Sequence, residues 1–107
     1  NIPFLGICHG AQFIADYFRS KILKLKGHVA KDHKVSFLHN KKKFLVNSYH
    51  NFSITRLGKN LNKLAVSDDG SIEAFKHNKK KILGIMWHPE RYQKIKNLDL
   101  NLIKENL

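Results

Sequence analysis

The sequence predicts an α/β fold: part of a three-layer sheet, with helices over its faces and an antiparallel insertion. Three observations predict it. The chain opens on a short apolar run, Ile2-Pro3-Phe4-Leu5-Gly6-Ile7, which ends at Cys8 and passes straight into helical spacing. A second apolar run, Ile82-Leu83-Gly84-Ile85-Met86, ends at Trp87-His88-Pro89-Glu90. Between the two lie β-rich segments separated by turn residues.

Each element has its own warrant. The first run reads as a buried strand of the kind that parallel sheets cover on both faces. The chain starts at Asn1 rather than Met and enters that strand at once. We therefore expect upstream sequence to be absent and residues 1–107 to be the C-terminal portion of a single domain. Residues 9–19 form a helix, because Phe13, Ile14, Tyr17 and Phe18 recur at helical spacing and make one apolar face. Residues 21–34 are basic and irregular around Gly27. Strands follow at 33–38 and 43–48, joined by a turn at His39-Asn40-Lys41-Lys42. Residues 51–62 read as a loop with a short helix. Strands at 63–67 and 71–76 flank Asp68-Asp69-Gly70, a hairpin signal. The second apolar run, 82–86, is a last buried strand. Residues 99–106 close the chain as an amphipathic helix with Asp99 in or before its first turn.

Composition bounds the function. A chain of 107 residues is one domain at most. Its 42% hydrophobic and 26% charged residues fit a folded globular chain rather than a disordered one. No apolar run approaches the roughly 18 residues of a membrane span. With one cysteine, Cys8, no internal disulfide can form, and we expect a cytoplasmic location and no membrane partner. The net charge of +12 could suit an acidic partner, but the 20 basic residues are 17 Lys and 3 Arg. Nucleic-acid sites favour the bidentate guanidinium, so the charge reads as surface composition and no nucleic-acid partner is expected. The Lys runs 41–43 and 79–81 fall at predicted turns.

The chemistry centres on Gly6-Ile7-Cys8-His9-Gly10, a G-x-C-x-G word at a strand-to-helix junction. A nucleophile on such a bend sits in a strained backbone conformation, with its side chain exposed above the sheet edge and glycines allowing close backbone approach. The helix N-terminus behind it favours the thiolate. The backbone N–H of His9 would face a substrate carbonyl as an oxyanion donor. A thiol nucleophile needs a base, and the base an orienting acid. Of seven histidines, His88 closes the second apolar strand and is followed two residues on by Glu90, with Pro89 stiffening the link. Two parallel strands ending in Cys8 and His88 would bring both to one carboxyl edge, where function collects in open α/β sheets. No histidine pair has H-x-x-x-H spacing, so no metal is expected.

These words resemble a known family. Pro3-Phe4-Leu5-Gly6-Ile7-Cys8-His9-Gly10-Ala11-Gln12 and Gly84-Ile85-Met86-Trp87-His88-Pro89-Glu90 are similar to class I glutamine amidotransferase domains. Val46-Asn47-Ser48-Tyr49-His50-Asn51 and Asp69-Gly70-Ser71-Ile72-Glu73-Ala74 resemble segments of the branch that hydrolyses γ-glutamyl amides, such as γ-glutamyl-γ-aminobutyrate. All four stand in family order and together span most of the chain. The resemblance implies a flavodoxin-like three-layer sheet, incomplete here because the N-terminal half is absent. It implies a triad of Cys8, His88 and Glu90, a γ-glutamyl thioester intermediate, and release of glutamate and an amine without a cofactor. It implies that Gln12 and the stretch His50-Asn51-Phe52 hold the glutamyl head of a small-molecule substrate, beside His9. Glu73, His28 and His33 have no role that can be assigned. The family's Gly-rich loop, which gives the second oxyanion N–H, lies in the absent half, and losing one such donor costs roughly 100- to 1000-fold in rate. We therefore expect the isolated chain to be inactive or poorly folded.

Three alternatives accompany this reading. A glutaminase subunit would share the triad but pass ammonia to a synthetase partner. The stretch Ser67–His77 resembles γ-glutamyl-CDP-amidate hydrolases, which act in capsule phosphoramidate synthesis. A truncated fragment would have no activity at all.

Overall fold

The computed structural model describes residues 2–24, 33–48, 52–91 and 97–107. In chain order its elements are β1 (Phe4–Ile7), α1 (His9–Tyr17), β2 (Lys21–Lys24), β3 (His33–Phe37), β4 (Lys43–Val46), β5 (Phe52–Arg56), β6 (Leu61–Ser67), β7 (Ile72–His77), β8 (Ile82–Ile85), a 3-10 turn over Pro89–Arg91 and α2 (Asn97–Asn106). All eight strands join one mixed sheet. The main path runs β1-β8-β7-β6-β3-β4; β2 pairs with β5, and β5 touches β7 at Ile54 and Ile72.

The two apolar runs become the parallel pair β1 and β8, in step from Phe4 opposite Ile82 to Ile7 opposite Ile85. Every other described pairing is antiparallel. The hairpin between β6 and β7 turns where Asp68-Asp69-Gly70 predicts. Gly70 takes φ 86°, and the Asp69 carboxylate accepts from the Ser71 N–H at 2.9 Å and from the Ser67 hydroxyl at 2.5 Å. The β3–β4 hairpin also forms as expected.

Alternation along β8 sorts the core into two faces. Leu83, Ile85 and Trp87 pack with Val35, Phe37 and, from α2, Leu102. Met86 faces the other way and joins Phe75, Ile54 and, from α1, Ala11 and Ala15. One helix on each face of the sheet gives the three layers the sequence predicts.

Several expectations are corrected. The apolar stripe on α1 faces the core only in part: Ile14 and Phe18 pack against it, Phe13 and Tyr17 are each 74% exposed, and the fully buried residues are Ala11 and Ala15. The small face lets the helix lie close to β1. A Cβ on Gly6 would stand 2.7 Å from the Gly10 carbonyl carbon and 2.8 Å from the Ala11 nitrogen. The helix ends at Tyr17 rather than residue 19, because Arg19 turns to φ 65° and its N–H reaches back to the Asp16 carbonyl. β1 is not covered on both faces; Phe4 and Leu5 are exposed, since β8 is its one described neighbour and α1 covers one side. Residues 21–24 are a strand, not irregular basic chain, and residues 52–56 are its antiparallel partner rather than loop or helix. Both are short, and their order comes from pairing with each other across the sequence. α2 starts two residues earlier than expected, at Asn97.

The exposed side chains at this end of the sheet line a groove of about 660 Å³ between α1 and β1. Ile2, Phe4, Leu5, Phe13 and Tyr17 form its walls, with Lys80 and Lys81 at the rim.

Candidate active site

Cys8 occupies the bend between β1 and α1, as the residue that caps the helix. Its backbone sits at φ 53°, ψ −103°, a conformation that L-residues rarely adopt. Two backbone bonds hold it there. The Cys8 N–H donates to the Ile85 carbonyl at 2.7 Å, tying the bend to the end of β8, and the Cys8 carbonyl accepts from the Gln12 N–H at 2.9 Å. The thiol therefore stands at the positive end of the helix dipole. The expectation of an exposed side chain is corrected: Cys8 is only 1% exposed, held down on β8 by its own N–H. Of the two flanking glycines, only Gly6 makes a close approach; a Cβ on Gly10 would meet nothing within 4 Å.

His88 arrives from β8. The parallel register sends both strands off the same edge, so Cys8 directly follows Ile7 and His88 lies three residues past Ile85, its register partner. The His88 ring Nδ1 lies 2.6 Å from Glu90 Oε2. The ring is mostly buried, at 14% exposure, whereas Glu90 is half-exposed at 52%. The 3-10 turn at Pro89–Arg91 brings the carboxylate back under the ring within two residues.

Three anchors fix the backbone that carries His88. The Met86 N–H donates to the Glu73 carbonyl at 2.7 Å. The Trp87 indole N–H donates to the buried Asp99 carboxylate at 2.7 Å. Asn47, 6% exposed, takes both main-chain groups of His88: its Oδ1 accepts from the His88 N–H at 2.7 Å, and its Nδ2 donates to the His88 carbonyl at 2.9 Å. Reasoning from the sequence left Asn47 without a role. Its only signal was its place in the Val46-Asn47-Ser48 word, just past an apolar strand.

The remaining candidates divide. Gln12 lies one helical turn after Cys8, and its Nε2 is buried without a hydrogen-bond partner among the described residues. His9 is the first residue of α1, so its N–H belongs to the set that a helix leaves without internal partners. Phe52 opens β5 opposite Lys24 and is 43% exposed. His50, Asn51 and His28 lie outside the described residues, as does the side chain of His33. Glu73 is fully buried in β7, directly behind Met86. Among the described residues no group of three or more His, Cys, Asp or Glu is placed to hold a metal, and no helix is long and apolar enough to cross a membrane.

Comparison with known proteins identifies the family. Residues 1–103 match the glutamine amidotransferase class-I family, and the chain belongs to it. A γ-glutamyl-CDP-amidate hydrolase of Campylobacter jejuni is 49% identical over 98% of the chain and 54% of its own length. A glutamine-hydrolysing GMP synthase subunit from Archaeoglobus fulgidus is 31% identical over 86% of the chain and 54% of its own length. Among solved structures, a putative GMP synthase subunit from Thermoplasma acidophilum superposes with a TM-score of 0.82 at 30% identity, covering 97% of this chain and 57% of that one. The chain thus spans about half the length of the relatives it matches.

Proposed function

We propose that the protein carrying this chain hydrolyses γ-glutamyl amides through a cysteine thioester, with Cys8, His88 and Glu90 as its triad. One observation carries the proposal. A cysteine strained into the strand-to-helix bend shares its sheet edge with a histidine whose Nδ1 is 2.6 Å from a carboxylate. That is the nucleophile, base and orienter arrangement of acyl transfer.

In the reaction, Cys8 Sγ attacks the γ-carbonyl carbon while His88 accepts the thiol proton. With Nδ1 engaged by Glu90, Nε2 is the nitrogen that moves it. The oxyanion forms against the His9 N–H at the start of α1. Collapse breaks the C–N bond, and the proton on His88 goes to the leaving amine. Water, deprotonated by His88, then cleaves the γ-glutamyl thioester to glutamate and restores the thiol. The buried Nε2 of Gln12 offers a donor to the glutamyl head beside the nucleophile, and His50, Asn51 and Phe52 complete that subsite. No cofactor takes part.

The name of the 49% relative supports a cytidine diphosphate amidate as the leaving group, and on that reading we assign the protein to capsule biosynthesis in the cytoplasm. A glutaminase that supplies ammonia to a synthetase is the second reading, favoured by the two GMP synthase relatives. We also assign residues 1–107 to the C-terminal portion of one larger catalytic domain. The groove between β1 and α1 supports this, because its exposed aromatic walls suit burial against further polypeptide rather than water.

The test is to incubate the full-length protein with a γ-glutamyl nucleotide amidate, with glutamine and with γ-glutamyl-γ-aminobutyrate, and to trap the acyl-enzyme by acid quench and mass spectrometry. A γ-glutamyl adduct on the peptide containing Cys8 is expected, formed fastest from the nucleotide conjugate. Preference for glutamine would favour the ammonia donor. Turnover without any Cys8 adduct would defeat the thioester mechanism.

A further inference from the structure

We infer that Asn47 is the positioning residue of the active site, locking the main chain of His88 so that the imidazole keeps its aim at Cys8. The inference rests on the proposed triad and adds a residue to it.

The problem begins with the end of β8. Backbone bonding to β7 reaches the Met86 N–H, on the Glu73 carbonyl, and the following residues must leave the sheet while carrying the base. Beyond His88 comes Pro89, which has no N–H to give. His88 lies past the end of β8, outside the described strand pairings, and rotation of its backbone there would swing the ring. Asn47 resolves this with a two-point bond, Oδ1 to the N–H at 2.7 Å and Nδ2 to the carbonyl at 2.9 Å. Its side-chain amide copies the donor and acceptor of a peptide group, so His88 is held as if one more strand residue lay beside it. Two bonds from one rigid planar group fix orientation as well as distance. At 6% exposure, Asn47 is sheltered from competing water.

The partner is also distant. Asn47 follows β4, which stands at the far end of the main sheet path with three strands between it and β8. Asn47 directly follows Val46, which is buried in one core with Ile85 and Trp87, so the amide reaches His88, 41 residues away in sequence, from the end of β4 itself. The amide joins the end of β4 to the residue that carries the base. Serine or alanine at 47 cannot make both bonds, and aspartate keeps an oxygen for the N–H but opposes the carbonyl with a second one.

The experiment uses the full-length protein and reads two signals: steady-state hydrolysis of the preferred γ-glutamyl substrate, and the rate of Cys8 alkylation by iodoacetamide at neutral pH. For Asn47→Ala we expect kcat to fall about 100-fold, the scale of a small misplacement of a catalytic group, while KM changes less than about threefold. Alkylation should slow to the rate of His88→Ala, and Asn47→Ala added to His88→Ala should change neither signal further. Asn47→Asp, close in size and suited to folding where alanine is not, should lose about tenfold in kcat. Additive losses in the double variant, or a wild-type alkylation rate in both Asn47 variants, would overturn the inference. The triad has its own readout: if His88→Ala leaves alkylation and turnover unchanged, the proposed mechanism fails, whereas a slow His88→Ala with a normal Asn47→Ala removes only the role of Asn47.

Discussion

The two halves of the candidate site are held by different means. Main-chain bonds fix Cys8: its N–H on Ile85, its carbonyl on Gln12, and its dihedrals set by the junction of β1 with α1. His88 is held to a greater degree by side chains, with Asn47 on its backbone, Asp99 on the neighbouring indole and Glu90 on its ring. The nucleophile is buried at 1% exposure, whereas the orienting carboxylate is half in water. A backbone-held group tolerates change in its neighbours as long as the sheet and helix meet. A group held by side chains depends on each of them, and substitutions should separate the two cases.

The largest effect is expected at the nucleophile. In the full-length protein Cys8→Ala removes the attacking atom, and γ-glutamyl amide hydrolysis should fall by roughly 10⁶-fold with the fold intact, as checked by turnover and circular dichroism. Glu90→Gln keeps the shape of the orienter without its charge. A buried carboxylate in this role is worth about 10⁴; because Glu90 is half-exposed and water can partly replace it, a loss nearer 10² is expected. Gly84→Ala tests the frame common to both halves. The new Cβ would lie 2.3 Å from the Phe75 ring, itself fully buried, so unfolding by denaturant should show a loss of about 1–3 kcal/mol, partly restored by Phe75→Leu. Trp87→Phe takes the indole donor away from the buried Asp99 carboxylate and should cost about 1–3 kcal/mol by the same measurement. The smallest effect separates backbone from side chain at the nucleophile itself: Cys8→Gly should be more stable than Cys8→Ala by about 1 kcal/mol, the reverse of the usual order, because of φ 53°.

Most of the frame was legible because it is written in local words. Ile2 to Ile7 and Ile82 to Met86 announce themselves by apolar density, and Asp69-Gly70 marks its turn by chemistry that only a few residues support. The strands at Lys21–Lys24 and Phe52–Arg56 were not legible. Each is short, β2 is mostly exposed, and what makes them strands is their pairing with one another. The face of α1 was half legible. Ile14 and Phe18 pack on the core as their spacing predicts, but Phe13 and Tyr17 stay exposed, because the helix lies on β1 through Gly10 and Ala11 over Gly6. At the site, Cys8, His88 and Glu90 could be proposed because glycine, proline and spacing surround them. Asn47 could not, because an amide bonding main chain 41 residues away leaves no local trace.

The dihedrals of Cys8 carry a wider consequence. Selection for folding alone would write glycine at this position, since every side chain there is a burden on the native state. A glycine introduced at residue 8 would therefore harden the protein and remove its thiol in one step, so a search for sturdier variants that ignores hydrolysis would select against the proposed nucleophile.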